Sequence, residues 1–111
     1  MPMNISKSIT QGWQVIHVDG QIDSKTVGAL RDYIDQELQE SLPVALDLTL
    51  VPFMSSAGLR TLLTLHRHTQ EMNTSLALVG IVTEIEDTMK VTGFYDFFTI
   101  YPELTALPPV P

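Results

Sequence analysis

The sequence contains no cysteine. That absence removes disulfides, zinc–thiolate sites and thiol catalysis together. Basic residues are scarce: six Lys and Arg stand against thirteen Asp and Glu, for a formal net charge of -7. Lys7, Lys25, Arg31, Arg60, Arg67 and Lys90 are scattered and draw no stripe. Such a chain has no sequence-independent grip on nucleic acid and no attraction to an anionic membrane. Charged residues of both signs make up 17% of the chain, below the usual quarter. That leaves room for neutral surface that a partner covers. No apolar run approaches the roughly 20 residues of a membrane span. The opening "MPMNISKSITQGW" has no apolar core of a signal peptide. The expectation is a cytoplasmic protein, bound to neither nucleic acid nor membrane.

Several chemical signatures are missing too. No GxGxxG and no GxxxxGKS/T phosphate loop occurs, so no nucleotide cofactor is expected. "SSAG" is not the GxSxG elbow of a hydrolase, and no well-placed His–acid pair is identifiable. His66 and His68 are two apart on a helix and face different ways, which defeats a shared metal. His17 lies in a strand with no visible partner. All three histidines read as ordinary packed or surface imidazoles, and the chain reads as no enzyme.

What is present suits one small domain: 111 residues, 44% of them hydrophobic. "MNISKSIT" (3–10) alternates weakly, as an edge strand does. "GWQVIHVDG" (12–20) alternates better, with Trp13, Val15 and His17 on one side and Gln14, Ile16 and Val18 on the other. Gln11-Gly12 is a hairpin turn between them. Val27, Leu30, Ile34 and Leu38 then share a helical face, with Asp23 or Ser24 as N-cap. Pro43 bounds "VALDLTLV" (44–51), a central strand with Asp47 toward the less covered side or a loop end. A helix begins near Ser55 or Ser56, with Leu59, Leu62, Leu63 and His66 on its inner face, and ends at Asn73. "SLALVGI" (75–81) is a buried strand. Thr83 and Glu86 have the spacing of a capping box. Glu84, Glu86 and Asp87 suit the positive start of that helix, and Gly93 suits its end. "FFTIY" (97–101) is a last strand, and "LPPVP" a loose or polyproline-like tail.

The order β-β-α-β-α-β-α-β implies parallel neighbours after an initial antiparallel pair. The expected fold is a single α/β domain over residues 1–107, a mixed sheet of four to five strands with helices packed on it. Residues 108–111 form the Pro-rich tail. Ser55 and Ser56 fall where a strand gives way to a helix. The first-turn N–H groups there lack intrahelical partners, and the dipole favours a negative group. A phosphoryl group on either serine fits that position, and so does simple capping.

The chain resembles the STAS-domain, anti-sigma-factor-antagonist family of bacteria. "VDGQID" (18–23) is similar to the family's strand-ending Gly-x-Ile/Leu-Asp. "ALDLTLVPFMSSAGLRTLL" (45–63) is similar to its central signature. "LALVGI" and "MKVTGFYDFFTIYPEL" are similar to its closing strands and turn. The likeness runs from about residue 4 to residue 104. It implies a non-enzymatic switch that binds an anti-sigma factor, itself a serine kinase of the histidine-kinase-like ATPase superfamily. The kinase phosphorylates one serine and a PP2C-type phosphatase reverses this. Position by position, the acceptor falls on Ser56, the preceding Asp on Ser55, and the following Ser/Thr on Ala57. Gly58 and Leu59 match directly, and Asp23 falls on the acidic residue beside the switch. Ser55 is the departure, standing where a carboxylate is usual. The implied partner-binding face comprises Asp23, Ser24, Met54, Ser55, Ser56 and Gly58, with Met54 either lending contact area or packed in the core. The alternative is a constitutive STAS scaffold in a larger signalling or transport complex, with Ser56 only a helix cap.

Overall fold

The structure is a computed structural model that describes residues 3–39 and 41–110. Met1, Pro2, Glu40 and the tail's Pro111 lie outside the described residues. Five strands and three helices follow one another as β1 (Asn4–Thr10), β2 (Trp13–Asp19), α1 (Val27–Glu37), β3 (Val44–Leu50), α2 (Ser56–Glu71), β4 (Leu76–Val79), α3 (Thr83–Thr92) and β5 (Thr99–Tyr101). The sheet order is β1-β2-β3-β4-β5. β1 and β2 are antiparallel and the remaining pairs are parallel. The expected order and mixed sheet are therefore observed.

The β1–β2 hairpin turns on Gln11 and Gly12, both at positive φ (53° and 89°). That combination twists with the strands and tolerates glycine and short polar residues best. After β2 every strand-to-strand return needs a crossover, which the three helices supply. All three pack on one face of the sheet. Ile16, Val18, Leu46, Leu48 and Leu78 meet Leu30 and Ile34 of α1, Leu59, Leu62 and Leu65 of α2, and Ile85 and Met89 of α3. Leu65 joins the inner face of α2, whereas Leu63 and His66 are only half-buried. Buried Gln14 is fully engaged: its amide donates to the Gln39 and Leu42 carbonyls and accepts the Gln39 N–H.

The opposite face carries a smaller cluster of Trp13, Val15, Ala45, Ala77 and Val79, covered by Leu107 with Leu104 and Val110. The tail is thus not loose. Trp13 Nε1 donates to the Pro108 carbonyl at 2.7 Å, and Val110 N–H donates to the Gln11 carbonyl at 2.9 Å. Proline cannot pair in a ladder, but its carbonyl and the apolar neighbours still anchor the segment.

Three local expectations need correction. The Thr83–Glu86 capping box does not form: Val82 is the N-cap and Thr83 is already helical. The Tyr95 hydroxyl instead donates to Glu86 at 3.3 Å. The last strand is shorter than 97–101, because Tyr95–Phe97 wind into a 3-10 turn before Thr99. Asp23 caps the turn ahead of α1 rather than the helix itself, whose N-cap is Thr26.

Candidate functional site

At the ends of β2 and β3 the chain keeps the two strands' direction and zips two connecting segments together. Gly20 N–H donates to Leu50 O (3.1 Å), Ile22 N–H to Phe53 O (3.0 Å) and Ser55 N–H to Ile22 O (2.8 Å). Ile22 and Met54 form a parallel bridge. This pairing fixes where α2 begins. It also brings the Asp23 turn beside the two serines, although they are more than 30 residues apart in sequence.

Gly58 lets the first turn of α2 press onto that bridge. A Cβ there would stand 2.6 Å from Met54 Cγ, 2.9 Å from Ile22 Cγ2 and 3.1 Å from the Ile22 carbonyl. Only glycine fits without displacing buried side chains. Met54 is 6% exposed and belongs to the core. It fills space under the helix start and offers no contact area to a partner. Gly58 is buried as well. Both position the serines from below.

The serines divide their tasks. Ser55 is the N-cap, and its hydroxyl accepts the Gly58 N–H at 3.3 Å. Ser56 is the first helical residue and is exposed. Its hydroxyl has no protein hydrogen-bond partner among the described residues. The helix cap is therefore Ser55, not Ser56. No acidic residue stands in the first turn of α2, so the positive helix end is not neutralised from within.

Beside them, Asp23 Oδ1 accepts the Lys25 N–H at 2.9 Å and the Thr26 N–H at 3.1 Å. The Lys25 N–H foremost, with the Thr26 N–H and hydroxyl and the Lys25 charge, holds the carboxyl below the usual aspartate range against the opposing effect of burial. Asp23 is a fixed anion on a rigid turn, with exposed Ser24 next to it. A shallow cavity of about 590 Å³ runs along Asp19, Gln21, Asp23, Lys25 and Leu50. Among the described residues no group of three His, Cys, Asp or Glu side chains is placed to hold a metal ion.

Two exposed apolar side chains border the site: Phe53 at 50% and Leu50 at 62%. Reading the chain alone selects Met54 instead. Past β3 the buried positions fall at Leu48, Val51 and Met54, every third residue, so no strand alternation in the sequence marks Phe53 as the exposed one; the bridge to Ile22 turns Met54 in. His66 is half-buried edge-on to Phe98, with ring centroids 5.6 Å apart, and His68 is exposed. His17 does have a partner, Asp47, across the β2–β3 pair.

A family model for the STAS domain matches residues 4–106. No curated protein matches the chain. Among solved structures, the chain is similar to an anti-sigma factor antagonist from Mycobacterium paratuberculosis, with 27% identity and a TM-score of 0.82 over 93% of this chain and 88% of that one. The anti-sigma factor antagonist SpoIIAA in its unphosphorylated form shares the fold at 16% identity, with a TM-score of 0.70 over 87% of each chain. The same Bacillus protein is also known in a phosphorylated form. The fold recurs in the murine anion transporter Solute Carrier 26 family member A9, at 12% identity and a TM-score of 0.74, over 92% of this chain and 21% of that one.

Proposed function

Because the chain belongs to the STAS domain family, we propose that it is an anti-sigma-factor antagonist switched by phosphorylation of Ser56. Unmodified, it captures an anti-sigma factor that is also a serine kinase. Phosphate on Ser56 releases it, and a PP2C-type phosphatase restores the binding form. The observation that carries this reading is the division between the two serines. Ser55 is committed to the cap, and Ser56 presents a free hydroxyl one residue on.

The physics of the switch is local. A phosphoserine adds about -1.5 to -2 charges at neutral pH. At the start of α2 the dipole stabilises that charge by about 0.3–1 kcal/mol. Arg60, exposed and four residues on, lies on the same helical face. The domain therefore accepts the phosphate without refolding. The partner does not: Phe53 and Leu50 supply the apolar part of the contact, and a new charge beside them must be desolvated. Such a charge costs a few kcal/mol, or roughly 10- to 1000-fold in affinity. The kinase is the enzyme in this exchange, and this chain its substrate and ligand. That places the proposed work in the cytoplasm, beside the transcription machinery.

The measurement is affinity for the partner kinase. Ser56→Asp is expected to weaken the complex roughly 10- to 1000-fold with an unchanged circular dichroism spectrum. Equal binding by the two proteins contradicts the charge mechanism.

A second reading follows from the likeness to a transporter's domain: a constitutive scaffold within a larger complex. In that case Ser56 carries no regulation. Ser56→Ala separates the two, because a switch becomes locked in its binding form under kinase and ATP, whereas a scaffold binds as before.

A further inference from the structure

On the sheet face away from the helices, three side chains from three strands form a hydrogen-bonded line. Ser8 Oγ lies 2.8 Å from His17 Nε2, and His17 Nδ1 lies 2.8 Å from Asp47 Oδ2. Strand register creates the line. Ser8 pairs with Val15, so it stands diagonal to His17 on the same face. His17 pairs directly with Asp47. The other carboxylate oxygen, Asp47 Oδ1, accepts the Thr49 N–H at 3.1 Å and the Thr49 hydroxyl at 2.6 Å.

These bonds select one tautomer of the neutral ring. Burial raises the Asp47 pKa, but the Thr49 hydroxyl, His17 and the Thr49 N–H together outweigh it and hold the group below the usual aspartate range. An ionised carboxylate can only accept, so Nδ1 of His17 carries the proton. In the neutral ring Nε2 then presents its lone pair, and the Ser8 hydroxyl donates to it. A hydroxyl, a base in contact with it and a carboxylate orienting that base are the parts of an activated serine.

We propose that Ser8 is a nucleophile for acyl transfer, with His17 as its general base and Asp47 positioning the imidazole. The substrate class is a small activated acyl donor, an aryl ester or a thioester. Ser8 is exposed on the edge strand, and the His17 side chain is 32% exposed. A cavity of about 250 Å³ is lined by Ile5, Ser6, His17 and Asp47 but not by Ser8, so a donor reaches the Ser8 hydroxyl from the exposed edge of β1. Ser8 Oγ attacks the carbonyl carbon as its proton passes to His17 Nε2. The bond to the leaving oxygen or sulfur breaks, and that atom takes the proton from His17. Water, deprotonated by His17 Nε2, then attacks the acyl carbon; the bond to Ser8 Oγ breaks, Oγ takes the proton back from His17, and the free acid departs. Ser8 sits mid-strand rather than at a helix start, away from the N–H groups that commonly stabilise an oxyanion. Donors with good leaving groups are therefore required. This chemistry is separate from Ser56.

The test is to incubate the full chain with p-nitrophenyl acetate and map the acetylated peptides by mass spectrometry. Acetate is expected on Ser8 ahead of the lysines, and absent from that peptide in Ser8→Ala. Ser6→Ala, on the same face without the bond to His17, should label Ser8 at the wild-type rate. His17→Gln should slow labelling at least about 100-fold. Ser8 unlabelled in the wild type with p-nitrophenol released no faster than by Ser8→Ala, or Ser8 labelled equally fast in His17→Gln, overturns the proposal. Should His17→Gln unfold, the site mapped in the folded wild type and Ser6→Ala proteins decides.

Discussion

At the head of α2 the Ser55 hydroxyl holds the Gly58 N–H, and the Ser56 hydroxyl faces solvent. The two side chains should respond oppositely to truncation. Ser55→Ala removes the cap and is expected to cost about 1 kcal/mol in denaturant unfolding. Ser56→Ala touches nothing in the fold and should stay within about 0.5 kcal/mol, while abolishing regulation. Reversed stability effects would contradict the division of roles. In sequence, two serines after an apolar strand are legible as a helix start, but which one caps depends on a single backbone dihedral pair. Ser55 is extended (φ -78°, ψ 173°), so it is the cap. Met54 was legible only as an apolar residue near the site. Its burial comes from the bridge to Ile22, a contact across more than 30 positions.

The joined segments at the ends of β2 and β3 form the rigid platform of the site, and Gly58 is what lets α2 sit on it. Gly58→Ala gains roughly 1 kcal/mol of helix propensity but drives a methyl into Met54, Ile22 and the Ile22 carbonyl. A net loss of about 1–3 kcal/mol is expected in thermal or denaturant unfolding, together with weaker partner binding because Ser55 and Ser56 shift. A variant as stable as wild type would show that the helix start has slack. Elements with a strong period were readable from the chain: β2, β3, α1 and the inner stripe of α2. The capping box failed because Thr83 enters the helix one residue too early to reach back. The final strand was overlong because Gly93 and the 3-10 turn consume Tyr95–Phe97. The His17–Asp47 pair was hidden because strand register is not printed in either strand alone.

Across the whole molecule, the helices cover one sheet face and the C-terminal segment covers part of the other. Trp13→Phe removes the 2.7 Å bond to the Pro108 carbonyl. It should cost about 0.5–1.5 kcal/mol and speed hydrogen exchange at the Val110 N–H; unchanged exchange there would mean that apolar contact alone holds the segment. Acid stability is a second global property. Asp23 and Asp47 both titrate below the ordinary aspartate value of 3.8 in the folded chain. The unfolded chain binds those protons first, so their contribution is whole above that value and is lost as pH falls through the lower folded values. Asp47→Asn should flatten part of the decline in melting temperature below about pH 4; an identical decline would remove Asp47 from the acid response. The element order and sheet were legible because periodicity is local, whereas the site joins loops that only the folded sheet brings together. The most direct test of the switch is to incubate the protein with its partner kinase and ATP and map the phosphate by mass spectrometry. Phosphate on Ser56, lost in Ser56→Ala and retained in Ser55→Ala, is the expected result; phosphate absent from Ser56 while the same kinase modifies another substrate would contradict it.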